Sequence, residues 1–201
     1  MDVEGMPDPV PPRYVSVDLD PWDLHHARNH ARERLRFRNY AGHQQGSWKN
    51  GLLGDPLTPI LVGLLGEIAV AKVINRRLGH QVAGVDFSLL HNGDSGSDLL
   101  GTPFPIQIKT RTKDYGTGLI RRADLQSGRT YAIYEHCAYV FAIWETGASR
   151  VLLPGWIHWV KLAAYPETPA RQGNGHMNIE VPWANLSPFQ SLVESIRARL
   201  G

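Results

Sequence analysis

Between Thr58 and about Leu78 the chain places apolar side chains on nearly every side of a helix, and a helix of that kind has no face to leave in water. The rest of the chain must therefore cover it, and a sheet is the expected partner for a helix buried all round. Thr58-Pro59 opens the segment and Gly79 closes it, as a proline in the first turn and a glycine after the last commonly do. With 201 residues and 42% hydrophobic content, there is material for one core around that helix and too little for two domains of ordinary size. The run from Ile60 to Ile74 is interrupted by Glu67 and Lys72 and falls short of the roughly 20 residues that span a bilayer. A membrane span is not the expectation.

The chain has one cysteine, Cys137, which excludes an internal disulfide framework and a cysteine-based zinc site. The opening Met-Asp-Val-Glu shows no basic region followed by an apolar stretch, so no secretory signal is expected and a reducing, cytoplasmic home is. Residues 1–20 hold five acids (Asp2, Glu4, Asp8, Asp18, Asp20) against Arg13; that −4, set against +2 for the whole chain, leaves +6 on the remainder. Sixteen of the 21 basic residues are arginine, a bias suited to bidentate phosphate contact and equally to ordinary ion pairs.

Residues 1–20 also contain Pro7, Pro9, Pro11 and Pro12, and the sequence predicts an acidic, proline-rich arm there. A single domain is expected over 21–201, with its core at about 58–160. Asp20-Pro21-Trp22-Asp23 predicts a helix start, with Asp20 as the cap and Asp23 reaching back. Leu24, Ala27, Ala31 and Leu35 form its buried stripe, which leaves Arg28, Arg32, Arg34, Arg36 and Arg38 on the exposed flanks. Residues 41–56 are expected to be a loop. Short strands are expected at 85–89, 98–100, 104–112, 139–144 and 150–153, with 145–148 as a hairpin turn. Ser187-Pro188-Phe189-Gln190 predicts a capping box before a last helix, with Phe189, Leu192, Val193, Ile196 and Leu200 facing inward. The fold class expected is α/β, a central mixed sheet flanked by helices.

Two anomalies carry chemistry. Glu67 is a lone carboxylate in Leu64-Leu65-Gly66-Glu67-Ile68-Ala69-Val70, and burying it unpaired costs several kcal/mol. It needs a metal or a partner such as an arginine at a helix end. The second anomaly is the stretch from Gly93 to Thr110. A turn at Gly101 to Pro103 sets Asp98 opposite Gln107, and alternation along the second strand puts Ile106 and Ile108 on one face and Gln107 and Lys109 on the other. An ordinary half-exposed strand with an Asp–Lys pair explains the polar face as well; the added helical Glu tips the balance.

The order Glu67, then Asp98, then Gln107-Ile108-Lys109, on helix, strand and strand, resembles the PD-(D/E)XK nuclease superfamily. The resemblance covers roughly Thr58 to Trp144. It is closest to small phage-encoded and restriction-type members, in which a Gly-x-x-Gly-Glu-x-Ala helix precedes a Gly-Asp-x-Gly-x-Asp segment; Gly63, Gly66, Glu67 and Ala69 match the first, and Gly93, Asp94, Gly96 and Asp98 the second. The chain departs in carrying Gln107 where the family has an acid, and Ser97 where it has proline. Gln126 and Tyr131 are too far apart for the exonuclease branch.

The resemblance implies a restriction-endonuclease-like core and a Mg²⁺-dependent endonuclease acting on DNA, duplex or branched, with Mn²⁺ able to substitute. It implies Asp98 as the central metal ligand, with the Gln107 side chain and the Ile108 backbone carbonyl beside it and Glu67 held through water or a second ion. Lys109 would orient or help deprotonate the attacking water. Asp94 is a reserve ligand or a turn residue. Cutting both strands of a duplex calls for two such sites, so a homodimer is a candidate assembly. Arg111, Lys113, Arg121, Arg122 and Arg129, among the glycines of 110–129, form a basic stretch suited to phosphates, or to pairing with Asp114, Asp124 and Glu135. Three rivals stand beside this: a DNA-binding module that kept the fold without catalysis, a His-metal protein built on His26 and His30, and a tryptophan-rich ligand surface.

Overall fold

The computed structural model describes residues 14–40, 57–87, 97–121, 137–145, 147–169 and 177–201, without the side chains of 37–40 and 121. The expectations for 41–56 and for Asp94, Arg122 and Arg129 lie outside these residues.

Local signals set the helices. Helix α1 (Pro21–Tyr40) begins where Asp20 and Asp23 cap each other, each backbone N–H donating 2.9 Å to the other's carboxylate. Helix α2 (Leu57–Leu78) ends at Gly79, whose φ of 80° lets its N–H close on Asn75 O. It is long and apolar enough to cross a bilayer by length and composition, and 61% of its most apolar window is buried within the protein. Two more helices follow, α3 (Trp159–Ala163) and α4 (Phe189–Leu200). Phe189, Leu192, Val193 and Ile196 are buried as expected, whereas Leu200 is exposed. The expected capping box at α4 is absent: Pro188 takes the cap position without a side-chain bond, because the Ser187 backbone is committed to a two-way pairing with Trp156.

Four strands form a mixed sheet in the order β1 (Val15–Asp18), β7 (Arg150–His158), β6 (Ala138–Glu145), β4 (Ile106–Arg111). β6 and β7 are a hairpin turned at Gly147 (φ 92°), with Glu145 opposite Arg150. β4 runs parallel to β6. Because β1 pairs antiparallel with β7 from Val15 to Asp18, the chain is already in the sheet before residue 20. Of the arm expected over 1–20, the described residues 15–18 are instead strand, a consequence of a partner strand over 130 residues away.

Parity along β6 shows why the sheet is covered on both faces. Ala138, Val140 and Ala142 face α2, α1 and α4; Tyr139, Phe141 and Ile143 face a second core with Ile120, Ile157, Leu162, Ile179, Val181 and Trp183. That second core is closed by a three-stranded antiparallel sheet, β5 (Thr117–Arg121), β9 (Met177–Pro182) and β8 (Glu167–Pro169). The α/β class with a mixed sheet holds; three helices cover one face, and a small sheet with α3 covers the other. Part of the basic stretch at 110–129 is strand β5. A two-stranded ribbon, β2 (Gly84–Val85) and β3 (Leu99–Leu100), lies beside β4.

Candidate active site at the edge of strand β4

β4 ends the four-stranded sheet, and its outer edge is occupied by Ser97 and Asp98 rather than by a regular strand. The Asp98 N–H donates to Ile106 O (2.8 Å), the Ser97 hydroxyl accepts from Ile106 N (3.1 Å), and the Asp98 carboxylate accepts from Ile108 N (2.5 Å). Two side chains thus continue a ladder that the backbone has left, since the Asp98 carbonyl accepts instead from Asp86 N (3.1 Å). Asp98 is therefore level with Gln107, as the turn arithmetic expects, and its carboxylate is locked on the strand edge by a charge-assisted bond. In a strand the N–H and C=O of one residue point the same way, so the Ile108 carbonyl projects from that same edge.

The register assigns the side chains. Ile106 and Ile108, paired with Ala138 and Val140, join the helical core; Gln107 and Lys109, paired with Tyr139 and Phe141, lie on the opposite face. Gln107 is buried and Lys109 half-buried. Cys137 sits beneath this group. Burial pushes its thiol up to about 12, with the Asp98 charge acting in the same direction and the Gln107 backbone N–H and Lys109 opposing it. A thiol held neutral in this way is not a nucleophile.

Glu67 comes from the other side of the sheet. A Cβ on Gly66 would lie 1.9 Å from Thr110 Oγ1, so only glycine lets α2 seat this closely on β4. The next residue, Glu67, is buried and faces Arg34 of α1, with Nη1 to Oε1 at 3.5 Å. The other prong of the same guanidinium donates to Asp86 O at 2.6 Å. Arg34 is accordingly not on an exposed flank. It sits seven residues after Ala27 and three after Ala31, at the border of the buried stripe, which is the signal the sequence offered. Asp86, whose carboxylate is buried, is the other residue the motif did not single out.

The basic residues are dispersed. Arg111 ends β4 and donates to Thr117 O (3.2 Å) while lying over the Tyr115 ring. Lys113 is exposed, and Arg121 is on β5, opposite Asn178 in the second sheet. Asp114, expected to pair with arginines, accepts instead from Tyr14, Trp183 and Gly116. On α1 the His26 ring stacks on His30 (5.7 Å), His30 stacks on Phe87 (3.9 Å), and His30 Nδ1 is 3.1 Å from Glu33.

Among the described residues no three His, Cys, Asp or Glu side chains converge as a metal-binding group. What the β4 edge presents is a set of hard oxygens: one carboxylate, one backbone carbonyl and the nearby Gln107 amide. That donor chemistry fits Mg²⁺, which keeps several waters and uses one or two carboxylates, and does not fit a closed zinc site. Comparison with protein-family models, curated proteins and solved structures gave no match.

Proposed function

We propose that the chain is a metal-dependent nuclease of the PD-(D/E)XK type, hydrolysing phosphodiester bonds in DNA. The observation that carries this reading is the Asp98 carboxylate bonded to the Ile108 N–H between Gln107 and Lys109. The order of elements supports it: a buried helix with a single Glu and a short ribbon precede β4, which pairs parallel with β6.

Asp98, the Ile108 carbonyl and the Gln107 amide oxygen are the groups that would hold Mg²⁺. Bound there, the ion supplies Lewis acidity toward the phosphoryl oxygens and a more acidic water. The chain's own residues do the rest. The ammonium of Lys109, on the Gln107 face of β4, orients the attacking water and offsets negative charge that grows on the phosphate. Glu67 adds a second carboxylate from α2, held in place by Arg34. Arg111, Lys113, Arg121 and Arg122 are phosphate contacts in this reading. Localisation in the cytoplasm and action as a homodimer belong to the same proposal.

A second reading, a nuclease-fold module that binds DNA without cutting it, is favoured by one observation. Of the three acids such a site draws on, one is Gln107 and another, Glu67, faces an arginine. Cleavage of supercoiled plasmid and branched oligonucleotides with Mg²⁺, Mn²⁺ or EDTA separates the two. Metal-dependent cutting lost in both Asp98→Ala and Lys109→Ala is the expected result. DNA retention without cutting in the wild type overturns the nuclease and leaves the module.

A further inference from the structure

Positions 22, 25, 29, 32 and 36 of α1 recur at three and four residues, so they share one face of the helix, and all five are exposed: Trp22, His25, Asn29, Arg32 and Arg36. Trp22 leaves 68% of its surface in water, with its ring set against those of His25 (6.3 Å) and His26 (4.4 Å). One acid, the exposed Glu33, falls four residues after Asn29 and three before Arg36, and its carboxylate is turned to His30 Nδ1 at 3.1 Å. Beside the strip runs a ladder of rings: Trp22 against His26 (4.4 Å), His26 on His30 (5.7 Å), His30 on Phe87 (3.9 Å). Phe87 follows Asp86, whose N–H holds the Asp98 backbone carbonyl, so the ladder ends at the segment after β2 that contacts the backbone of the candidate catalytic residue. Two residues past Arg32, Arg34 grips Glu67.

We infer that this face of α1 is a docking strip for an unpaired nucleic-acid strand, leading it toward the β4 edge. The inference rests on the nuclease reading for its destination, but its own argument is local. Arginines answer a phosphate backbone, and an exposed ring beside them offers a surface on which a base can stack. Bases in a duplex have their faces covered, so an exposed Trp in a basic strip selects the unpaired strand, whereas arginines alone would not. The chemistry is shared by single-stranded DNA and RNA. A His-metal site is a poorer account of the same helix, because the His26 and His30 rings are stacked and His30 Nδ1 faces Glu33.

The test is fluorescence anisotropy in EDTA with labelled single-stranded DNA, single-stranded RNA and duplex DNA of one sequence. Comparison is made between the wild type, Trp22→Ala, Trp22→Phe and the double variant Arg32→Ala/Arg36→Ala. Either single strand should bind more tightly than the duplex, and the stronger of the two identifies the sugar preferred. Trp22→Ala should weaken single-strand binding about tenfold, the size of one lost base stack, while Trp22→Phe, which keeps a ring, should retain most of it. The arginine double variant should flatten the salt dependence by a log–log slope of roughly 1.4. All three side chains are on the surface, and circular dichroism confirms that each variant folds. Duplex binding equal to or tighter than single-strand binding, or no effect of Trp22→Ala, overturns the strip. Failure of the nuclease reading looks different: no cleavage with any metal, while single-strand binding still depends on Trp22.

Discussion

Arg34 Nη1 lies 3.5 Å from Glu67 Oε1, across the contact between α1 and α2, and the same guanidinium holds the backbone carbonyl of Asp86. The Arg34 and Glu67 side chains are 23% and 9% exposed, so the pair has little water to fall back on. Removing one partner leaves a charge without its counter-ion in a poorly solvated place. Arg34→Met should cost about 2–4 kcal/mol of stability, somewhat less than for a fully buried pair. Arg34→Met combined with Glu67→Met should recover much of that loss, since neither charge is then stranded. Urea denaturation of the wild type, both single variants and the double variant measures the coupling; additive effects would remove the pair from the account.

The approach of α2 to β4 depends on the missing side chain of Gly66. A Cβ there would meet Thr110 Oγ1 at 1.9 Å, too close to tolerate, and Cγ2 at 3.1 Å, a tight contact. Gly66→Ala should destabilise the protein by about 2–3 kcal/mol as helix and strand are forced apart. Thr110→Ala should cost little by itself, because its buried hydroxyl has no hydrogen-bond partner among the described residues. It should restore part of the stability lost in Gly66→Ala. Thermal melts of the three variants check both expectations.

What could be read in the sequence follows the range of the forces involved. The start of α1 was legible because Asp20 and Asp23 satisfy each other's N–H groups within four residues. The buried α2 announced itself by composition, and β4, β6 and β7 by short apolar runs with a turn between the last two. β1, β5, β8 and β9 were not legible, since Val15 pairs with Leu153 and Leu119 with Glu180, and neither partner is visible locally. The site was partly legible: turn spacing set Asp98 level with Gln107. It was not visible that the Asp98 side chain would take the Ile108 amide, or that Arg34 would answer Glu67. A helical period distinguishes inward from outward positions, but it does not say that a long arginine at the border will reach in.

Asp114 joins three separate parts of the chain. It accepts from the Tyr14 hydroxyl (2.7 Å), the Trp183 indole N–H (2.7 Å) and the Gly116 N–H (2.8 Å). Partial burial pushes its carboxyl up, and the bonds from Gly116, Trp183 and Tyr14 outweigh that and hold it below the usual carboxylate range. A lowered carboxyl stabilises the fold in full above the unfolded-state value of about 3.9 and loses that contribution as the pH falls through its lower folded value. Asp114→Asn should therefore melt below the wild type at neutral pH, and the gap should narrow in the acid range below about 3.9. Melting temperatures from pH 2 to 7 decide it, and a gap that stays constant across the range would show that the ionised carboxylate is not what stabilises the clasp.

Gln107 occupies the position where an acid would add a negative charge beside Asp98. The Gln107 side chain is buried on the face it shares with Lys109, so a carboxylate there would gain from both a metal ion and the neighbouring ammonium. Gln107→Glu should lower the Mg²⁺ concentration needed for half-maximal cleavage by about tenfold, the usual scale for one altered group at a metal site. Gln107→Leu, of similar size and without an oxygen, should raise it. Chelation with EDTA should abolish cleavage in all three proteins, and returning Mn²⁺ should restore it. A metal titration of plasmid cleavage reads these effects directly. If Gln107→Glu and Gln107→Leu shift the midpoint equally, the side-chain oxygen is not a ligand, and the ion is held by Asp98 and the Ile108 carbonyl alone.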